Sequence, residues 1–152
     1  MFQNDYIMRM ILQLVEAIRR SMEQGYATRE DEIESIEAAL GDALDLDPGL
    51  ALNLEPTSLV SVLEVGNFDR KLGGYVTRSL YYEAELLQTA NRPQTAALRR
   101  AQADAIAAHF DVEVTREALS GEELEAFFAA EEAEASAASE AGAEREARHE
   151  AQ

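Results

Sequence analysis

DYIMRMILQLVEAIRRSMEQ, residues 5–24, decides what kind of chain this is. Its large apolar side chains fall at Ile7, Ile11, Leu14, Ile18 and Met22, with Met10 and Val15 beside them. Steps of three and four residues gather these positions on one stripe of an α-helix, whereas a half-buried strand alternates at every second residue. Asn4 or Asp5 can accept hydrogen bonds from the first free amides of such a helix, and Gly25 can end it in the left-handed conformation. The N-terminus is therefore expected to be a core element, docked from its first turn.

The helical signature continues downstream. Thr28 followed by Asp31 resembles a capping box, with Asp in place of the usual Glu, and Ile33, Ile36, Leu40 and Leu44 carry a second stripe that Gly41 weakens slightly. Residues 28–47 hold eight acids and one base, Arg29. The first-turn acids suit the positive end of the helix dipole, so this charge reads as a solvated face. Residues 47–56 alternate Leu50, Leu52 and Leu54 like a strand, but no second strand exists to pair with them. They read as a connector holding one helical turn.

Residues 58–65 predict a short helix stopped by Gly66 and Asn67. Asp69 is placed to cap a longer helix running to about residue 90, with Leu72, Val76, Tyr82, Leu86 and Leu87 inward. Gly73 and Gly74 leave room there for another backbone to approach. Asn91-Arg92-Pro93 makes a tight turn into a last helix over about 94–110, where Ala96, Ala97, Ala101, Ala105 and Ala108 offer a small face for close packing. The fold class is all-α, with five or six helices over residues 1–119 packed as a bundle or a tetratricopeptide-like hairpin. A single hairpin is too few for a simple repeat array, which needs about three stacked units.

Residues 120–152 form an acidic tail rich in Ala and Glu, expected to be helical or disordered. From residue 121 onward ten acids face two bases, a net of -8, and no large apolar residue follows Phe128. Leu119, Leu124, Phe127 and Phe128 can still dock on the body.

The whole chain carries 30 acids against 13 bases, a formal charge of -17. That field opposes binding to nucleic-acid phosphates and to anionic lipid headgroups, and it favours solubility and basic partners. The absence of cysteine excludes disulfides, thiolate nucleophiles and Cys-ligated metals. Arg9, Gln13 and Glu16 interrupt the first apolar run, so no signal peptide is read. No segment reaches the ~20 apolar residues of a membrane span, and a cytoplasmic location is expected.

Chemistry-bearing patterns are few. His109 and His149 are the two histidines, neither has a Glu three residues before it, and no serine stands in a G-x-S-x-G turn. Phosphate-cradling glycine loops are absent from the sequence. No catalytic residue, metal site or cofactor is expected. Glu34 with Glu37, or Glu83 with Asp104, can meet as acid and base or around a hard cation, but carboxylates are too abundant for such pairs to be specific. Tyr75, Arg78 and Tyr82, with Tyr81, suggest the polar groups of a pocket. Helical spacing also makes such tyrosines core or boundary residues, with Arg78 laid along the surface.

The octapeptide NDYIMRMI, residues 4–11, resembles the N-D-Y-I-x-R-M-I opening of a bacterial family of small helical proteins filed as a domain of unknown function. That resemblance covers residues 2–110. It implies an amphipathic first helix, an acidic second helix, a leucine-rich connector and a closing hairpin with tetratricopeptide-like character, and it brings no catalytic residues. The long Ala/Glu tail and the leucine-poor last helix depart from it. Core packing accounts for Ile7, Met10 and Ile11, which leaves Asn4, Asp5, Tyr6 and Arg9 as candidate interaction residues. An acid of the second helix is the competing partner for Arg9. The function expected is a protein-interaction adaptor or self-associating scaffold. The alternatives are a small-ligand protein or enzyme with an inter-helix pocket around Tyr75, Arg78 and Tyr82, and an acidic mimic that covers basic protein surfaces.

Overall fold

Six helices follow one another among the described residues: α1 (Phe2–Met22), α2 (Arg29–Leu44), the single turn α3 (Pro48–Ala51), α4 (Pro56–Val65), α5 (Arg70–Thr89) and α6 (Pro93–His109). The computed structural model describes the backbone of residues 2–112 and the side chains of residues 5–112. The expectations for the acidic tail, for Leu119, Leu124, Phe127 and Phe128, and for His149 lie outside those residues. Among the described residues there is no strand, and no helix is long and apolar enough to cross a membrane. The all-α expectation is met.

Helix starts follow the sequence closely. The Thr28 hydroxyl accepts from the Asp31 amide at 3.1 Å, Asp47 caps α3 by accepting from the Leu50 amide at 3.1 Å, and Asp69 caps α5 through the Lys71 amide at 2.8 Å. Pro56 and Pro93 open α4 and α6, where a missing amide hydrogen costs nothing. The exception is α1. It begins at Phe2, so Asn4 and Asp5 are not its caps; nothing in the preceding residues breaks the helix, and Asp5 lies in its first turn, where the dipole favours a carboxylate.

The end of α1 is made differently from the expectation, while α4 stops at Gly66 and Asn67 as expected. Gln24, Asp45, Asn67, Asn91 and Asp111 have φ between 56° and 62°, and the amide after each reaches back five residues, as in Gly25 to Arg20 at 2.9 Å and Phe68 to Leu63 at 2.9 Å. Leu46, Arg92 and Val112 make the same bond to Gly41, Leu87 and Ala107. These are Schellman closures. Four of the five left-handed positions are Asn or Asp, the non-glycine residues that tolerate the conformation best. No described glycine has positive φ, so Gly25 does not end α1 in the way predicted.

Glycine matters at Gly41 for another reason. A Cβ there would lie 2.7 Å from Cδ of Pro48, so Gly41 lets the α3 turn fold back against α2. At Gly73 a Cβ would meet Cγ2 of Val112 at 3.0 Å, so the close approach expected there is made by the chain leaving α6.

The core runs along the predicted stripes. Leu14, Ile18, Ile36, Leu40, Leu59, Val76, Leu80, Leu87 and Ile106 are fully buried, as are Ala51 and Leu52 in the connector. Helix α5 is the axis, packed on α1, α2 and α6, while α4 lies against α6 and α1 against α2. The hairpin of α5 and α6 is the most extensive of these pairs, but its seam is not the alanine row expected. Ala97 and Ala108 face solvent, and the inner stripe of α6 is Ala96, Arg99, Gln102, Ala103 and Ile106.

Candidate groove along the first helix

The first turns of α1 do not bury all of their apolar surface. Ile7, Met10 and Ile11 enter the core as predicted, whereas Tyr6 and Leu12 are each 40% exposed. They border a chain of three neighbouring concavities on the α1 and α2 side. One of about 580 Å³ runs along α1 and is lined by Asp5, Arg9, Leu12, Arg20, Tyr26 and Asp42, among others. A second, about 500 Å³, lies between α1 and the end of α2, with Tyr6, Arg9, Asp42, Asp45 and Asp47 in its walls. The third, about 370 Å³, opens between the start of α1, the end of α2 and α4, where Tyr6, Leu44, Val62, Val65, Phe68 and Leu72 form its apolar surface. Arg9 is common to the first and second, and Tyr6 to the second and third.

Of the sequence-predicted interaction residues, Asp5, Tyr6 and Arg9 therefore stand at this groove; the side chain of Asn4 lies outside those described. The Tyr6 hydroxyl donates to the Asp42 carbonyl at 3.4 Å. Burial, then the charges of Asp45 and Asp42, push the Tyr6 phenol above its usual pKa, with Arg9 opposing. Deeper along the groove, the Arg20 guanidinium lies 4.6 Å from the centre of the Tyr26 ring, and the Tyr26 hydroxyl is 2.9 Å from Ser35. That cation–π contact and hydrogen bond fix the far end of the groove while its near end stays open.

The second predicted set is arranged otherwise. Tyr75 is buried, Arg78 is half-buried and donates to the Gly74 carbonyl of its own helix at 3.2 Å, and the Tyr82 hydroxyl lies 2.7 Å from Ser21, which also bonds Glu32. Burial raises the Tyr82 phenol, the Ser21 hydrogen bond opposes that rise, and Glu32 adds to it. None of these three side chains lines the concavities described above.

A buried polar cluster escaped sequence reasoning. Arg99, 3% exposed, donates from Nε to Oε1 of Glu83, from Nη1 to the Leu52 carbonyl at 2.6 Å, and from Nη2 to Glu37 at 3.3 Å. Gln102 adds hydrogen bonds to the carbonyls of Leu52 and Leu54 at 3.1 and 2.9 Å. Glu83 is fully buried. Burial drives its carboxyl up to about 7, Arg99 pulls the other way, and Glu37 adds to the rise. A carboxyl near neutrality suits acid–base chemistry, but Glu83 lines none of the described concavities, so a substrate has no described route to it. The cluster is a clasp that ties the connector after α3 to α2, α5 and α6.

The other sequence-nominated carboxylates also have structural posts. Glu37 belongs to the clasp, Asp104 accepts from the Tyr81 hydroxyl across the α5 and α6 seam, and His109 at the end of α6 sits 3.6 Å from Glu64 of α4. Comparison of the chain with protein-family models, with curated proteins and with solved structures found no match.

Proposed function

We propose that the protein works by contact with other proteins, as an adaptor or self-associating scaffold, through the groove beside α1. The observation that carries this is the distribution of exposed apolar side chains. Among the described residues five large ones are exposed, and four of them, Tyr6, Leu12, Val62 and Val65, line the groove; Val65 is 85% exposed. Scattered single apolar residues need no explanation, but a gathered set framed by charged groups is the usual mark of an interaction site. The presence of Asp5, Tyr6 and Arg9 on the same walls, together with the likeness of NDYIMRMI to the opening of a helical family, supports the same surface. Tetratricopeptide-like packing of α5 and α6 belongs to this proposal and leaves the α1 side free for partners.

Capture from native lysate tests it. The full chain should retain a specific protein or a second copy of itself, and Val65→Ser should lose most of it while circular dichroism and melting temperature stay unchanged. If the wild type retains nothing and sediments as a monomer at high micromolar concentration, the proposal fails.

A further inference from the structure

The part of the groove between α1, the end of α2 and α4 has an electrostatic character that its apolar lining alone does not reveal. Two helices end on it, and α5 begins on it with Asp69 as its cap. Leu44, Asp45 and Leu46 at the end of α2, and Val65, Gly66 and Asn67 at the end of α4, all belong to its walls. A helix C-terminus presents the negative end of the backbone dipole, usually offset by a base in the last turn. Neither α2 nor α4 has one. Carboxylates add to this, with Asp45 and Asp69 on the rim; the adjoining concavity sets Asp42 and Asp47 against Arg9, and the residues lining this part itself include no Lys or Arg. Burial is the first cause of the raised Tyr6 phenol, and the charges of Asp45 and Asp42 add to it.

We infer that this groove receives a cationic amphipathic helix of a partner protein, its apolar side chains on Tyr6, Val62 and Val65 and its Lys or Arg residues against Asp45 and Asp69. The inference rests on the adaptor reading and supplies the chemistry of the partner. Charge selects this occupant over the others. A second copy of a chain with net charge -17, or the chain's own residues 121–152 with a net of -8, would bring more negative charge to a negative rim. A volume of about 370 Å³ fits a few apolar side chains projecting from one helix face, the usual helix-in-groove arrangement.

Conservative variants separate the two contributions. Asn is as good an N-cap as Asp and tolerates the left-handed backbone, so Asp45→Asn with Asp69→Asn removes both charges and keeps both local structures. The experiment measures binding of the full chain to a fluorescein-labelled amphipathic helix built of Leu and Lys. The comparison probes are a Leu and Glu helix of the same apolar pattern and a Leu and Lys peptide scrambled to abolish the apolar face.

The Leu and Lys helix should bind, and the two comparison probes at least about tenfold more weakly. Val65→Ser, which removes the apolar contact and adds no charge, should weaken binding on the order of tenfold, and the double Asn variant should weaken it and flatten its dependence on salt. Equal binding of the scrambled or Glu-containing probe, or wild-type affinity in both variants, overturns the inference. So does a dimer that Val65→Ser abolishes in a chain that ignores the Leu and Lys helix, because the occupant is then a second copy. A Val65-dependent partner from lysate without binding of the model helix likewise overturns the partner chemistry, while leaving the adaptor reading intact.

Discussion

Arg99 is the residue on which the connector depends. Removing it leaves Glu83 buried without its cation and the Leu52 carbonyl without its charged donor. Loss of one partner from a buried pair costs about 3–5 kcal/mol, whereas replacing both by apolar side chains is often neutral. Arg99→Leu should therefore lower the urea midpoint steeply, and Arg99→Met combined with Glu83→Leu should restore most of it. Glu83 also sets a pH dependence. Its carboxyl binds a proton more tightly when folded, with a pKa near 7, than when unfolded, near 4.5. The contribution is fully present below about pH 4.5 and is lost as pH rises through about 7, on the order of 3 kcal/mol in all. Urea titrations between about pH 5 and about pH 8 should show the wild type losing stability relative to Glu83→Gln; a difference independent of pH would contradict the assignment. The sequence singled out Glu83 and Glu37 as carboxylates but did not join them to Arg99 or Gln102. Arg99 and Gln102 stand in an alanine-rich helix, where polar residues read as solvent-facing, and the contacts that justify their burial lie 16 to 62 positions away.

At the scale of elements, legibility follows the range of the interaction. Caps such as Thr28 and Asp69 act within three residues, and periodicity in α1, α2 and α5 acts within one helix, so both were readable. The end of α1 was misread because the rule looks for glycine, while this chain turns at Gln24; the stops at Asn67 and Asn91 were readable, and the left-handed roles of Asp45 and Asp111 were not. Two predictions separate these roles. Gln24→Gly should stabilise the chain by about 1 kcal/mol in chemical unfolding, because glycine adopts the left-handed backbone without a Cβ penalty. Gly41→Ala, which helix propensity alone would favour, should instead destabilise by about 1–3 kcal/mol, since its methyl meets the Pro48 ring. A stabilised Gly41→Ala variant would mean that α3 does not press on α2.

For the whole molecule, the α5 and α6 hairpin and the Arg99 clasp build a rigid side, while the start of α1 and the end of α4 leave apolar groups uncovered on the other. The sequence pointed to Tyr6 and Arg9 because core packing did not account for them. It did not point to Val62 and Val65, which look like core positions of a short apolar helix until α4 is seen to turn only Leu59, Val60 and Leu63 inward. Val65→Ser, which adds no charge at the end of α4, should thus change stability by less than about 0.5 kcal/mol and yet weaken partner binding. The measurement that bears most directly on this account is amide hydrogen exchange along the full chain, with and without the protein it retains. Slowed exchange confined to the start of α1, the end of α2 and the α4 to α5 junction is the predicted result. Slowing confined to α6, or to residues 113–152, would contradict the groove as the working surface of the protein.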